Sequence, residues 1–388
     1  MIPKPTRRAG GLKRLLTMAR LGVAMLFHSK LRLAGTLLGV VFPVVLANFA
    51  LYSMFGLLQK STLLQRNAGA DIWIVPSSAE ILGQGTVDYQ NLLIARTTPG
   101  VAQAQPALFG PAAVTLPNGR REGVTLLGVA EPYDLGGPWN LVAGDVRVLR
   151  HPDTLLFDSS ARETFGGLNV GSVREVNDRR TSVGGFTWGL APFGASFAFA
   201  DYETAREYLH VPRDRVGFVL VRLEPGADPQ EVAAALRGRV DDAAVHPTAD
   251  FVQLGYRQIL TKTPIGVTFV TISAFGLIVG LVIVGLAMFS SVVDNLKEFG
   301  TLKAVGLGMV DLSAILLSQA ALYAAMGSAL GLLLVNGLAR LMRSPNVGLE
   351  LPPALALGTA VTMGLVCAVS SLLAIQRLRT IEAGIVFR

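Results

Sequence analysis

Four stretches without a charged residue, 33–59, 263–293, 312–339 and 351–376, constrain this chain more than any other feature. Each is 26 to 31 residues long. A helix rises about 1.5 Å per residue, so roughly 20 apolar residues cross a hydrocarbon core about 30 Å thick. In lipid the backbone must satisfy its own polar groups, which a helix does alone. The four runs therefore predict four transmembrane helices with some tilt or overhang. Composition agrees: 51% of the residues are hydrophobic and 16% charged, against about 25% charged in an ordinary soluble domain. The first run is too long for a signal peptide and lacks a small-residue cleavage site.

The net charge of +7 is concentrated ahead of the first run, in Lys4, Arg7, Arg8, Lys13, Arg14, Arg20, Lys30 and Arg32. A basic flank of this kind faces the cytoplasm and its anionic lipid. The tail carries Arg377, Arg379 and Arg388 against Glu382, and an even number of spans puts both ends on one side. Arg340 and Arg343 in the short loop 340–350 oppose this orientation, but the amino-terminal bias is larger. Both termini are expected in the cytoplasm, with 60–262 outside. With aromatic residues at 7% and no stacking platform, nucleic acid is not an expected partner. The single cysteine, Cys367, allows no internal disulfide. His28, His151, His210 and His246 are scattered, without metal-binding spacing.

The segment ahead of the first span, 1–32, predicts an amphipathic helix lying on the cytoplasmic leaflet. Leu12, Leu15, Leu16, Ala19 and Val23 recur at helical spacing, away from Lys13, Arg14 and Arg20. The segment 60–262 reads as an α+β domain. Asp71-Ile72-Trp73-Ile74-Val75 alternates like a strand, and 124–129, 154–157 and 216–223 are further short apolar runs. Residues 201–209 have helical character. Asp228-Pro229-Gln230-Glu231 combines a capping Asp, Pro at the first helical position and Glu three residues after the cap, and predicts a helix to about Val240. Gly166-Gly167 and Gly184-Gly185 mark loops. The predicted fold class is an α-helical membrane protein with four transmembrane helices and an extracytoplasmic α+β domain between the first and second.

The spans carry no full charge, whereas ion-coupled transporters and proton relays ordinarily need one. No G-x-x-x-x-G-K-[ST] phosphate loop exists in the chain, so any ATP would be hydrolysed by another subunit. No set of nucleophile, base or metal ligands converges, so a membrane enzyme is not expected. Small-residue pairs Gly35 and Gly39, Gly276 and Gly280, and Gly327 and Gly331 stand four apart, a spacing that lets helix backbones approach. Pro43 is either a kink or a tolerated proline.

The loop 294–311 carries the sharpest local pattern. Within Asn295-Leu296-Lys297-Glu298-Phe299-Gly300-Thr301-Leu302-Lys303, residues Leu296, Phe299 and Leu302 form an apolar stripe beside Lys297, Glu298 and Lys303. Such a helix either docks into a partner's groove or rests on the membrane surface.

At this loop, "NLKEFGTLKAVGLG" ahead of a long apolar span resembles the MacB/FtsX/LolC class of ABC permeases. "DIWIVPSSAEIL", "DTLLFDSSARETFG", "FVLVRLEPGADPQEVAAALRGRV", "TKTPIGVTFV" and the final "VFR" are similar to the DevC-type branch. The resemblance implies a homodimeric permease in the bacterial inner membrane that binds a cytoplasmic ATPase. ATP and magnesium would belong to that ATPase, with no cofactor on this chain. Asn295, Leu296, Lys297, Glu298, Phe299, Leu302 and Lys303 would form the coupling helix. A membrane-fusion adaptor and an outer-membrane channel would complete an exporter of amphipathic molecules such as glycolipids. The alternatives are an FtsX-like transmitter to a cell-wall hydrolase and a lipoprotein-releasing permease.

Overall fold

The long apolar runs form helices, and each helix outruns its uncharged stretch at one or both ends. The computed structural model describes residues 7–28, 30–78, 82–189, 196–262, 264–294, 298, 300–302, 306–341 and 353–379. The chain runs α1 (Arg7–His28), α2 (Lys30–Ser61), α3 (Leu63–Asn67), β1 (Ile72–Pro76), β2 (Val87–Asp88), α4 (Tyr89–Arg96), β3 (Val101–Thr115) and β4 (Arg121–Val129). It continues through β5 (Leu141–Ala143), a short 3-10 helix at Val146–Arg150, β6 (Thr154–Asp158), α5 (Ala161–Thr164), β7 (Val173–Val176) and β8 (Arg179–Thr187). Then come β9 (Ser196–Asp201), α6 (Tyr202–Tyr208), β10 (Arg215–Val216), β11 (Phe218–Leu223), α7 (Pro229–Arg237), β12 (Ala243–Pro247) and α8 (Thr248–Lys262). Three long helices close the order: α9 (Pro264–Asp294), α10 (Met309–Leu341) and α11 (Pro353–Arg379). The segments long and apolar enough to cross a membrane are Leu33–Ser61, Gly266–Leu286, Met309–Leu341 and Pro353–Leu372. The chain divides into a helical unit, within 1–54, 267–342 and 349–388, and a mixed unit, within 55–266.

In the helical unit, Val40 and Val44 of α2, Val284 of α9, Ile315, Leu316 and Tyr323 of α10, and Met363 and Cys367 of α11 share one buried cluster. Leu26 of α1 joins it. The apolar face of the leading helix is therefore packed on the other helices of this unit. The face of α1 bearing Met18, Gly22, Met25 and Leu26 lies on α10, while Leu21 and Phe27 remain exposed. A Cβ on Gly22 would stand 2.5 Å from Ser318 Oγ and 2.7 Å from the Ile315 carbonyl oxygen. Gln319 Nε2 donates to the Gly22 carbonyl at 3.2 Å. Glycine permits the close backbone approach, and the glutamine donor makes it directional.

The mixed unit is built on a sheet ordered β12-β1-β11-β3-β4-β9-β6-β8-β5. Strand β7 pairs with both β3 and β8, closing β3, β4, β9, β6, β8 and β7 into a ring. Alternation in β1 serves two cores. Ile72 and Ile74 enter one cluster with Leu108, Val219 and Leu236, while Trp73 and Val75 enter another with Leu127, Phe218 and Phe251. Helix α7 begins as its sequence signals: Asp228 accepts from the Gln230 N–H at 2.9 Å and Pro229 opens the first turn. It stops at Arg237, before the expected Val240, with Gly238 as its C-terminal cap. Asp201 likewise caps α6.

Two sequence readings change, and one strand is new. Gly184 and Gly185 lie inside β8 rather than in a loop. A Cβ on Gly184 would stand 2.6 Å from Val148 Cγ2, and one on Gly185 would overlap the Ala143 carbonyl oxygen. The pair also sits where the β6–β8 register shifts, so these glycines mark close backbone approach and a bulge. The run 216–223 is split at Gly217, whose Cβ would be 2.8 Å from the Ala107 carbonyl oxygen. Strand β3, 15 residues long, contains Pro106, Gly110 and Pro111. Its neighbours are staggered. Pro106 faces β11 just before β4 joins at Ala107, and Pro111 faces β4 after β11 has ended. Each proline therefore falls where β3 has one partner and needs no second ladder bond.

Trp73 anchors the second core. It is fully buried, its ring centroid lies 5.3 Å from those of both Phe218 and Phe251, and its Nε1 donates to Thr248 Oγ1 at 3.1 Å. Trp73→Ala is expected to destabilise this unit by about 3–5 kcal/mol. All three tryptophans lie in it, so Trp139 and Trp188 fluorescence in a denaturant titration of the whole protein measures the loss.

Candidate functional site

The loop leading into α10 is organised by a capped turn. Glu298 and residues 300–302 are helical, and Glu298 is exposed. Leu302 packs against the buried cluster of the helical unit, and its carbonyl accepts from the Leu307 N–H at 3.1 Å. Gly306 takes φ +99°, a left-handed conformation that suits glycine. The Gly308 carbonyl accepts from the Asp311 and Leu312 N–H groups at 3.1 and 3.2 Å, and Asp311 Oδ2 accepts from the Gly308 N–H at 3.0 Å. Asp311, read from the sequence only as the edge of a span, thus caps the helix that follows the loop. Asn295, Leu296, Lys297, Phe299 and Lys303 lie outside the described residues.

The small-residue positions separate on inspection. A Cβ on Gly327 would overlap Val40 Cγ1, and one on Gly331 would lie 2.6 Å from Val44 Cγ1. Gly39 would meet Ile283 Cγ2 at 2.5 Å, and Gly280 the Pro43 ring at 2.9 Å. Gly276 is in ordinary contact with Leu46 and Ala47, while Gly35 meets no described atom within 4 Å. These approaches join α2 to α9 and α10. Uncharged polar pairs add to them: Thr359 Oγ1 donates to Asn48 Oδ1 at 3.0 Å, and Tyr52 OH to Asn336 Oδ1. Pairs of this kind contribute about 0.6 kcal/mol on average between membrane helices.

The mixed unit holds a cleft of about 530 Å³. Its lining includes Ser61 and Gln65, Val75 and Phe218, and Phe251, Leu254 and Lys262 of α8. His246 lies on its wall, stacked on Phe251 with centroids 5.7 Å apart. Among the described residues no three or more His, Cys, Asp and Glu side chains stand together to hold a metal ion.

The model of the MacB-like periplasmic core domain matches residues 33–239, more than half of the chain, and that of the FtsX-like permease C-terminal domain matches 270–383. This chain belongs to the MacB/FtsX class of permeases. Among solved structures, the permease is similar to the periplasmic region of MacB from Actinobacillus actinomycetemcomitans, at 14% identity and TM-score 0.37, covering 48% of this chain and 94% of that one. It is also similar to the extracellular domain of the ABC-type transporter YknZ from Gram-positive bacteria, at 13% identity and TM-score 0.33, covering 46% and 98%. No curated protein matches it. The family consists of permease subunits of ABC transporters, which work with ATPase subunits.

The permease's His246 is expected to give its outer unit a pH dependence. Burial lowers the imidazole pKa and the nearby Arg237 lowers it further, while Asp250 acts in the opposite direction. The unfolded chain therefore takes up the proton first, and the stabilisation is fully present above the ordinary imidazole range near 6.5 and lost as pH falls below it. The denaturation midpoint, followed by tryptophan fluorescence, is expected to drop between about pH 7.5 and pH 5.5, and His246→Asn to flatten that drop. Equal slopes in both proteins would remove His246 as the cause.

Proposed function

We propose that this permease is a non-catalytic subunit of an ABC exporter, coupling ATP hydrolysis by a separate cytoplasmic ATPase to the export of an amphipathic molecule such as a glycolipid. ATP and magnesium stay on the ATPase. The reading places a homodimer in the bacterial inner membrane with both termini in the cytoplasm. The outer unit meets a membrane-fusion adaptor that leads to an outer-membrane channel.

One arrangement carries this reading. A single apolar helix, a mixed outer unit and three further apolar helices follow in order, with an amphipathic loop between the second and third spans. The loop joins α9 to α10, so a push on it would act on the ends of two spans. The outer unit is tied covalently to α2 and α9, so span movement would reach it without a central pore.

The match of the last three spans to FtsX-like permeases favours a second reading, in which movement is relayed to a cell-wall hydrolase and nothing is exported. One experiment separates the two. The tagged permease is purified from its native membrane and its ATPase partner captured. The complex is then reconstituted in vesicles carrying a fluorescent glycolipid. ATP-dependent removal of the lipid supports export. ATPase activity without lipid movement supports the relay, and failure to capture any ATPase overturns both.

A further inference from the structure

The cleft of the mixed unit has the features of a ligand site. Its volume of about 530 Å³ falls within the roughly 300–1,000 Å³ range of small-molecule pockets. Its interior is apolar, formed by Val75, Leu82, Phe218, Phe251 and Leu254. Polar groups gather elsewhere on the lining, at Ser61, Gln258 and Lys262. No described lining residue is a carboxylate.

Gln65 supplies the most informative group. It lines both this cleft and a neighbouring hollow of about 180 Å³ bounded by Phe109, Trp139 and Phe199. It is 6% exposed, yet its Oε1 has no hydrogen-bond partner. A buried acceptor left without a donor is costly; Oε1 is itself buried, so a turn of the Gln65 amide toward the cleft presents it to an occupant that brings an O–H or N–H. Location narrows the occupant further. Ser61 ends the helix of the first apolar run, and Lys262 stands at the end of α8, just before the second run begins. Both residues are thus covalently next to the two apolar runs, which suits an amphipathic occupant.

We propose that the cleft binds the acyl chain of a single-chain amphipath whose head carries hydroxyl groups, one of which donates to Gln65 Oε1. The site rests on the export reading for its purpose, though not for its chemistry. The apolar walls take the chain, Gln65 selects for a donor next to it, and Ser61, Gln258 and Lys262 meet the rest of the head.

The test uses the full-length permease in lipid nanodiscs and two photoactivatable probes with a diazirine in the chain. One is monopalmitoylglycerol, which has hydroxyl donors, and the other is methyl palmitate, which has none. Mass spectrometry locates the label. The monoacylglycerol probe is expected to label the peptides around Phe218 and 251–259, about 2- to 12-fold more than the methyl ester, the range of one hydrogen bond. Gln65→Leu should remove that preference while leaving chain-dependent labelling. Ala244→Leu on β12 and Leu254→Phe on α8 each add bulk to the lining and should each suppress labelling there, so a folding defect in one leaves the other to decide.

Labelling confined to the span helices, or outer labelling that both filling variants leave unchanged, overturns the proposal. Equal labelling by the two probes overturns the donor assignment to Gln65. ATP-driven lipid movement, measured on the same preparation with its ATPase, keeps the two readings apart. Movement with no labelling in the cleft sinks this site alone, and labelling in the cleft without movement sinks the export reading and leaves the site standing.

Discussion

Substituting valine for Gly327 is expected to open the packing between the first and third spans. The glycine faces Val40, which is fully buried; a new Cβ would overlap Val40 Cγ1 and stand 2.8 Å from Val40 Cβ. Neither neighbour can yield easily. Val40 is β-branched, holds one dominant rotamer in a helix and cannot swing away. One turn later Gly331 makes the same approach to Val44, so a shift of the backbone at one contact disturbs the other. Between membrane helices close packing drives association, because lipid tails are as apolar as the side chains. Overpacking of about 1–3 kcal/mol makes local opening about 5- to 160-fold more frequent. Cys367 reports it: it is the only cysteine in the chain and fully buried in the same cluster. Its labelling by a membrane-permeant thiol reagent should accelerate by that factor in Gly327→Val. Gly337 has no described atom within 4 Å of an added Cβ, so Gly337→Val should leave the rate unchanged. Equal rates in all three proteins would mean that Gly327 is not a packing contact.

The second large effect is expected at the loop before α10. Phe299→Asp places a carboxylate on the apolar stripe of Leu296, Phe299 and Leu302, and Glu298→Lys reverses an exposed charge one residue away. If the stripe is seated in a groove of the ATPase, an unpaired charge there costs about 2–5 kcal/mol, enough for a fall well beyond tenfold in coupling. Both variants are expected to insert normally, keep Cys367 protected and lose permease-dependent stimulation of the ATPase. Ordinary stimulation in either variant would remove the coupling role and leave the loop as a helix resting at the membrane surface.

The legible parts of this molecule were those set by local chemistry. Asp228-Pro229 starts α7 and Asp201 starts α6 because a side-chain oxygen next to free N–H groups needs no distant partner. The illegible parts needed a second piece of chain. Strand β3 is full of proline, glycine and alanine and carries no strand signal; it forms because β11 and β4 approach it in a staggered way. Helix α8 is masked in the sequence by the long apolar block that follows it, although Phe251 and Leu254 are spaced for a helix. Among the small residues, nothing in the spacing distinguishes Gly35 from Gly327. Asn48 with Thr359 and Tyr52 with Asn336 are neutral pairs, so charge does not mark them and they exist only once the helices lie side by side.

The amino-acid order alone settled that four segments are apolar enough to cross a membrane and that a mixed domain lies between the first two, because lipid leaves a long apolar backbone no alternative to the helix. The family also followed from it, through motifs that keep their order along the chain. Tertiary structure decided which glycines are contacts, that α1 lies against α10, that β7 closes a ring of strands, and that a donor-seeking glutamine lines a cleft. Those features depend on distances between residues far apart in the chain, and such distances exist only after folding brings the segments together.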